Sequence, residues 1–451
     1  MKKLIVLLVL LCLCVGFVLA GCAPSEDQSH DGVLTVYNCE DYIDEAMLEA
    51  FEEWYLETYG KSITVNYITY DTNETMLTKI MNNDADVDLI CSSEYAIQKL
   101  YNNDKILPIN KTPGMDTINQ EIYNRVETMF GEDFLNYFVP YMYGTLGILY
   151  NVDVFEEEGI DIAEEGWSIL WNEVGSEALM GKILLKDSIR DTFAAGVLYL
   201  KEQNKLPEAY AHMTTEQLIN CTEPELVEAV RVALTEQKHT LKGYEVDFGK
   251  DDMCKLSAYV DLAWSGDAMY AIEEALYEYE VNLDYYVPEA GANVWFDGWF
   301  IPKCTSQSAA ASAFIEFMCK PTVSAANMIY VGYTSAVDRD ILRADEEVLD
   351  LLVEAEYVDP DDMEATLAEY FEWDVRYPDI TNPNYGVMTD YGSANADMTI
   401  MWEKVKAATA EGSWPLWQIS VLCLGVLAVG AGIVALAIAV WKHRTYNRRY
   451  M

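Results

Sequence analysis

A chain of 451 residues, 51% hydrophobic and 23% charged, is long enough for two lobes with sizeable cores and is not a disordered or low-complexity composition. Acids outnumber bases by 75 to 29, for a net charge of −46. All of the acids lie between the two terminal apolar segments, so that region repels nucleic acid and attracts cations, although acidity also serves solubility. The ten cysteines include no CxxC pair and none has a histidine at ligand spacing, which argues against a zinc site or other metal centre.

In chain order, Lys2 and Lys3 precede an apolar run from Leu4 to Ala20, the pattern of a secretory signal covering residues 1–21. It closes on Leu19-Ala20-Gly21-Cys22, which resembles a bacterial lipobox and implies cleavage before Cys22 and lipidation of its thiol. Residues 22–32 are polar and read as a tether.

Leu34–Tyr37 reads as a strand. Asp44 caps a helix in which Met47, Leu48, Phe51 and Tyr55 follow helical spacing up to Gly60. Ile63–Tyr67 is the next strand, Asn73–Met81 the next helix, and Val87–Cys91 a third strand that leads into Ser93, Glu94 and Tyr95 and a short helix. This alternation predicts a parallel α/β unit, in which loops after the strand C-termini line the ligand crevice. Tyr42 and Tyr95 fall in those loops.

Tyr137–Asn151 is a long extended run and a candidate crossing between lobes. A second α/β unit follows. It has a helix at Trp167–Trp171, a strand at Lys182–Leu185, a helix opened by Asp187–Asp191, and helical acidic sequence from about 192 to 240. Ala258–Ala263 and Leu283–Val287 read as further strands. Val294-Trp-Phe-Asp-Gly-Trp299 sets one carboxylate among three large rings. That pattern fits a hairpin turn at Asp-Gly in an aromatic core. It also fits half of a site for a desolvated ammonium, which is stabilised by a counter-charge and ring faces. A helix around Ala309–Cys319 and one over Asp397–Ala408 follow, and residues 340–385, acidic and rich in Tyr and Pro, yield no assignment.

Leu416–Trp441 carries no formal charge over 26 residues, enough to cross a bilayer. Trp414, Trp417 and Trp441 sit at its ends, and the basic tail 442–451 is expected in the cytoplasm by the positive-inside rule.

Six segments carry a family resemblance: Leu34–Tyr42, Tyr70–Met76, Val139–Gly144, Ala263–Asp267, Val294–Asp297 and Val331–Tyr333. In their order and spacing the chain resembles the spermidine/putrescine-binding proteins of polyamine ABC importers, which have the type II periplasmic-binding-protein fold. The resemblance covers roughly residues 33–335, with weaker agreement to about 408. It implies an α/β fold of two lobes with a hinged interlobe cleft, here extended by a C-terminal transmembrane helix. The expected division is lobe 1 from residues 33–142 with 293–335, and lobe 2 from 143–292 with 336–410.

The resemblance further implies a ligand held by rings along its methylenes and by acids at its amines. Carried over by position, the rings are Tyr42, Tyr95, Trp264, Trp295 and Tyr333, with Ser93 as a polar contact and Asp297, Asp191, Asp267 and Asp41 as the acids. Two positions depart from the family: Cys39 stands where a Trp is usual, and Ser188 where some relatives have an acid.

The expected function is therefore capture of a polyamine (putrescine or spermidine) outside the cytoplasm and delivery to an ABC permease with its ATPase, with no cofactor and no nucleic acid. The alternative is a membrane-anchored polyamine sensor, which with a ten-residue tail needs a signalling partner. An enzyme is the third class, and the only histidines between the terminal apolar segments, His30, His212 and His239, stand beside no nucleophile motif.

Overall fold

A computed structural model describes residues 32–408. Twelve strands lie among them: β1 (Val33–Cys39), β2 (Thr64–Tyr70), β3 (Leu89–Ser93), β4 (Ile106–Leu107), β5 (Val139–Asn151), β6 (Ile183–Lys186), β7 (Leu241–Glu245), β8 (Val260–Trp264), β9 (Leu283–Tyr286), β10 (Ala292–Pro302), β11 (Thr334–Ser335) and β12 (Tyr385–Gly386). The chain divides into two compact units. Unit 1 ends its first segment at Gly144 and resumes over Val294–Asn382; unit 2 is Thr145–Asn293 and the chain from Pro383.

Unit 1 is built on strands in the order β2-β1-β3-β10-β5. β1 pairs in parallel with both β2 and β3, and the helices Ala46–Tyr59 and Asn73–Met81 make the crossovers, as the alternating pattern predicts. The first helix stops at Gly60, which takes the left-handed conformation (φ 65°) and donates its N–H to Leu56 O. Thr72 caps the second by accepting from Thr75 N. Under the sheet, Phe51 packs edge-on to Phe314 at 4.9 Å, and Phe314 in turn meets the fully buried Trp299 at 5.5 Å.

The Asp297-Gly298 pair lies inside the continuous strand β10, so this stretch is not a hairpin turn. Gly298 is needed for another reason: a Cβ there would lie 2.3 Å from Phe138 Cε2 and 2.7 Å from the Val139 carbonyl oxygen. The backbone of β5 approaches too closely for any side chain.

Unit 2 has the strand order β5-β8-β6-β7, with β9 on the free side of β5 and β12 beside the start of β10. β8, β6 and β7 run parallel, while β5 opposes β8 in the register Leu146↔Trp264 to Tyr150↔Val260. Helices Ile189–Glu202, Pro224–Gln237, Ser265–Tyr279 and Asn395–Ala407 complete the unit. Trp171 stacks on Tyr199 with ring centroids 3.8 Å apart.

Two expectations need revision, and one strand went unread. Residues 336–382, expected in lobe 2, belong to unit 1. β11 pairs with Met142 and Tyr143 of β5, Arg339 donates to Phe371 O, and Thr334 Oγ1 donates to Arg376 O, so this segment closes on the first unit. Trp167–Trp171 is a short 3₁₀ turn, and β7 escapes a sequence reading because Gly243 and Lys242 break its apolar alternation.

No helix among the described residues is long and apolar enough to cross a membrane. The signal segment, Cys22 with most of the tether, the apolar run 416–441 and the tail 442–451 lie outside the described residues. Among the described residues, Cys91, Cys221, Cys254, Cys304 and Cys319 are free thiols.

Candidate functional site

In unit 1, four of the expected residues converge. Tyr42 follows the C-terminal end of β1, Trp295 and Asp297 lie two residues apart on β10, and Tyr333 follows the helix Pro321–Val331, which ends at Gly332 in the left-handed conformation. Two-residue spacing on a strand puts Trp295 and Asp297 on one face and turns Phe296, fully buried, to the other. The Tyr42 hydroxyl donates to Asp297 Oδ2 at 2.8 Å. Tyr333 sits edge-on to Tyr42 with centroids 5.0 Å apart and lies 5.8 Å from Trp295. Tyr141 braces the group from beneath, 5.7 Å from Tyr42 and donating to the Tyr42 carbonyl.

Burial, and then the negative charge of Asp297, push the Tyr42 phenol well above its usual range, so it stays protonated and can only donate to the carboxylate. Asp297 itself is half-buried while Trp295 and Tyr333 are buried. Trp295 Nε1 is buried and makes no hydrogen bond among the described residues.

Ser93 is the register partner of Asp297 across the β3–β10 pair. Asn73 ties Ser93 to Tyr95, donating to Ser93 Oγ at 3.0 Å and to the Tyr95 hydroxyl at 3.1 Å, and it accepts from Ser92 Oγ at 2.6 Å. Asn73 is a positioning residue that sequence reading placed only as a helix start. Asp41 stands apart: it is exposed, in a left-handed turn with φ 49°.

In unit 2, Asp191, Trp264 and Asp267 are brought together. Asp191 is in the first turn of helix Ile189–Glu202, whose cap is the Ser188 side chain accepting from Asp191 N. Trp264 ends β8, and Asp267 is in the first turn of helix Ser265–Tyr279, where the helix dipole favours an acid. Trp264 Nε1 donates to Asp191 Oδ1 at 3.4 Å. Burial raises the Asp191 carboxyl, opposed by hydrogen bonds from Ser188 and Trp264 and by the charges of Lys186 and Arg190.

Sequence reading missed the cation at the centre of this group. Lys186, 1% exposed at the end of β6, pairs with Glu245 at 2.6 Å and with Asp267 at 3.2 Å, and its ammonium lies 4.2 Å from the centroid of a Trp264 ring. It also donates to Val246 O at 3.1 Å. Burial disfavours its charge, but Asp267, Glu245 and Asp261 together outweigh this and hold it above the usual lysine range. Glu245 and Asp261 are both raised, in each case chiefly by burial.

Unit 1 thus sets the Asp297 carboxylate among the rings of Tyr42, Trp295 and Tyr333, and unit 2 sets Asp191 and Asp267 beside Trp264. Fold and site together define a solute-binding protein. A family model described as bacterial extracellular solute-binding protein matches residues 46–339, and the chain belongs to that family, whose members bind solutes rather than catalyse. The chain is 26% identical over 327 residues to the putrescine-binding periplasmic protein SpuD of Pseudomonas aeruginosa, covering 70% of this chain and 80% of that one. It is 23% identical over 306 residues to the spermidine/putrescine-binding periplasmic protein of Escherichia coli, covering 67% and 77%. Among solved structures, the spermidine/putrescine ABC transporter substrate-binding protein PotD from Streptococcus pneumoniae superposes with a TM-score of 0.59 at 28% identity, over 83% of this chain and 98% of that one.

Proposed function

We propose that this chain captures an amine of the polyamine class outside the cytoplasm and hands it to an ABC permease with its ATPase. The observation that carries the reading is the convergence in unit 1 of the Tyr42 hydroxyl on Asp297, with the Trp295 and Tyr333 rings alongside. An alkyl ammonium needs both parts: the carboxylate balances its charge, and the ring faces cover its methylenes while attracting the cation by up to about 2 kcal/mol when desolvated. A charge-assisted hydrogen bond adds about 1.5–3 kcal/mol. Ser93 and Tyr95 extend this wall, and Trp264, Asp191 and Asp267 form the contacts assigned to unit 2. Asp41, exposed in its turn, is assigned to the rim. The similarity to putrescine- and spermidine-binding relatives supports the same ligand class.

The reading includes two attachments to the membrane, a lipid on Cys22 and a helix over residues 416–441, both argued from the sequence. Calorimetry on the full chain with putrescine, spermidine and N-acetylputrescine tests the ligand class. Micromolar or tighter binding of at least one is expected. No heat at millimolar ligand from folded protein would overturn the reading.

A further inference from the structure

The ammonium subsite expected in unit 2 comprises the face of Trp264 and the carboxylates of Asp191 and Asp267. Trp264 and Asp267 already serve an ammonium, that of Lys186. Its Nζ lies 4.2 Å from a Trp264 ring centroid and 3.2 Å from Asp267 Oδ2, the same two contacts an alkylamine end would make. This cation is not a surface lysine that swings aside. Its side chain is 2% exposed, its ammonium is also held by Glu245 at 2.6 Å and Val246 O at 3.1 Å, and its carbonyl accepts from Thr192 Oγ1 at 2.6 Å. A second cation, Lys250, stands 3.9 Å from Asp267 Oδ1. The neighbouring acid Asp191 is likewise flanked by Arg190, which is buried, donates to Thr389 O at 2.6 Å and lies 3.9 Å from the centroid of the Tyr391 ring.

We propose that Lys186 is a resident ammonium that fills the amine subsite of unit 2, so that this chain selects amines with one free ammonium group, such as N-acylated diamines, over free diamines. The inference rests on the polyamine reading above and narrows it. A second ammonium brought to Trp264 and Asp267 would meet like charge and find both partners taken. The Asp267 carboxylate, 3.2 Å away, favours the charged form of the lysine, so it does not vacate the subsite by losing its proton.

The test is calorimetry on the full chain, comparing N-acetylputrescine with putrescine for the wild type and for Lys186→Met, a neutral side chain of similar length. The wild type is expected to favour N-acetylputrescine by at least tenfold. In Lys186→Met putrescine should gain at least tenfold, with N-acetylputrescine changed less than threefold. Lys186→Gln provides a second arm in case Lys186→Met fails to fold, with the same gain expected for putrescine. Equal or tighter wild-type binding of putrescine, or no gain of putrescine affinity in a folded Lys186 variant, overturns the role of Lys186 and leaves the polyamine reading standing. Absence of binding by every amine overturns both.

Discussion

Replacing Asp297 with Asn separates a ligand-binding carboxylate from a structural one. The amide keeps an oxygen where Asp297 Oδ2 accepts from the Tyr42 hydroxyl at 2.8 Å, so the link between the β1 turn and β10 survives. Only the charge is lost. Exchanging a charged acceptor for a neutral one on a single hydrogen bond weakens the fold by about 1 kcal/mol at most, a shift of only a few degrees in Tm for a unit of this size. A ligand ammonium loses more, because it exchanges a charge-assisted hydrogen bond worth about 1.5–3 kcal/mol for an amide that cannot balance it. That corresponds to roughly 10- to 150-fold in Kd. Titration calorimetry with whichever amine binds the wild type most tightly, paired with a thermal melt of each protein, supplies the measurement. Tyr42→Phe and the double variant complete a cycle. Since Tyr42 and Asp297 touch, the two losses should fail to add by at least about 0.5 kcal/mol. Affinity within threefold of wild type in a folded Asp297→Asn would show that the carboxylate only braces Tyr42, and the cation site would have to be sought elsewhere.

Two further substitutions probe the framework. Gly298→Ala puts a methyl 2.7 Å from the backbone oxygen of Val139 and 2.3 Å from the Phe138 ring, so β5 and β10 must part. A loss of at least about 1–3 kcal/mol in urea denaturation is expected, and a neutral result would mean the strands yield without cost. Asp261→Asn tests the buried acids. Burial, and then the charge of Glu245, raise the Asp261 carboxyl in the folded state, so the folded chain holds a proton that the unfolded chain releases above about pH 4. That contribution to stability is present below the unfolded value and is lost as pH rises through the raised one. The wild type should therefore lose stability relative to Asp261→Asn between about pH 4 and neutrality, by about 1.4 kcal/mol for every tenfold by which folding tightens the carboxyl's hold on its proton. Parallel stability curves across that range would refute it.

The first unit was the more legible in sequence because its order is local and periodic. Phe51 and its helical neighbours, the β1–β3 alternation and the Gly60 stop are all short-range signals, and β1–β3 are parallel as that alternation requires. The pair Trp295 and Asp297 was legible as chemistry, since an acid among rings is costly without a partner. Its local structure was ambiguous, because Asp-Gly has the same letters whether glycine serves a turn or the close approach of another strand. Lys186 was invisible for the opposite reason. It ends the apolar run Ile183–Leu185 as any solvent-facing lysine would, and its partners Glu245 and Asp267 are distant in sequence. The segment 336–382 hid its order in contacts without a period: Arg376, 3% exposed, lies over the ring of Tyr370 at 4.2 Å and near those of Tyr357 and Trp373.

The discontinuity of both units sets a schedule for biosynthesis. Tyr42 waits 255 residues for Asp297, and Asp187 waits 215 for Trp402, whose indole donates to it. Lys238 anchors to the carbonyls of Val405, Lys406 and Ala408, at the far end of the described chain. Neither unit can finish its sheet or seal its core while the ribosome is still working through the middle of the message. Contacts of such long sequence separation form slowly. For a protein expected to be threaded across a membrane before it folds, late closure leaves more time for export before the fold is complete.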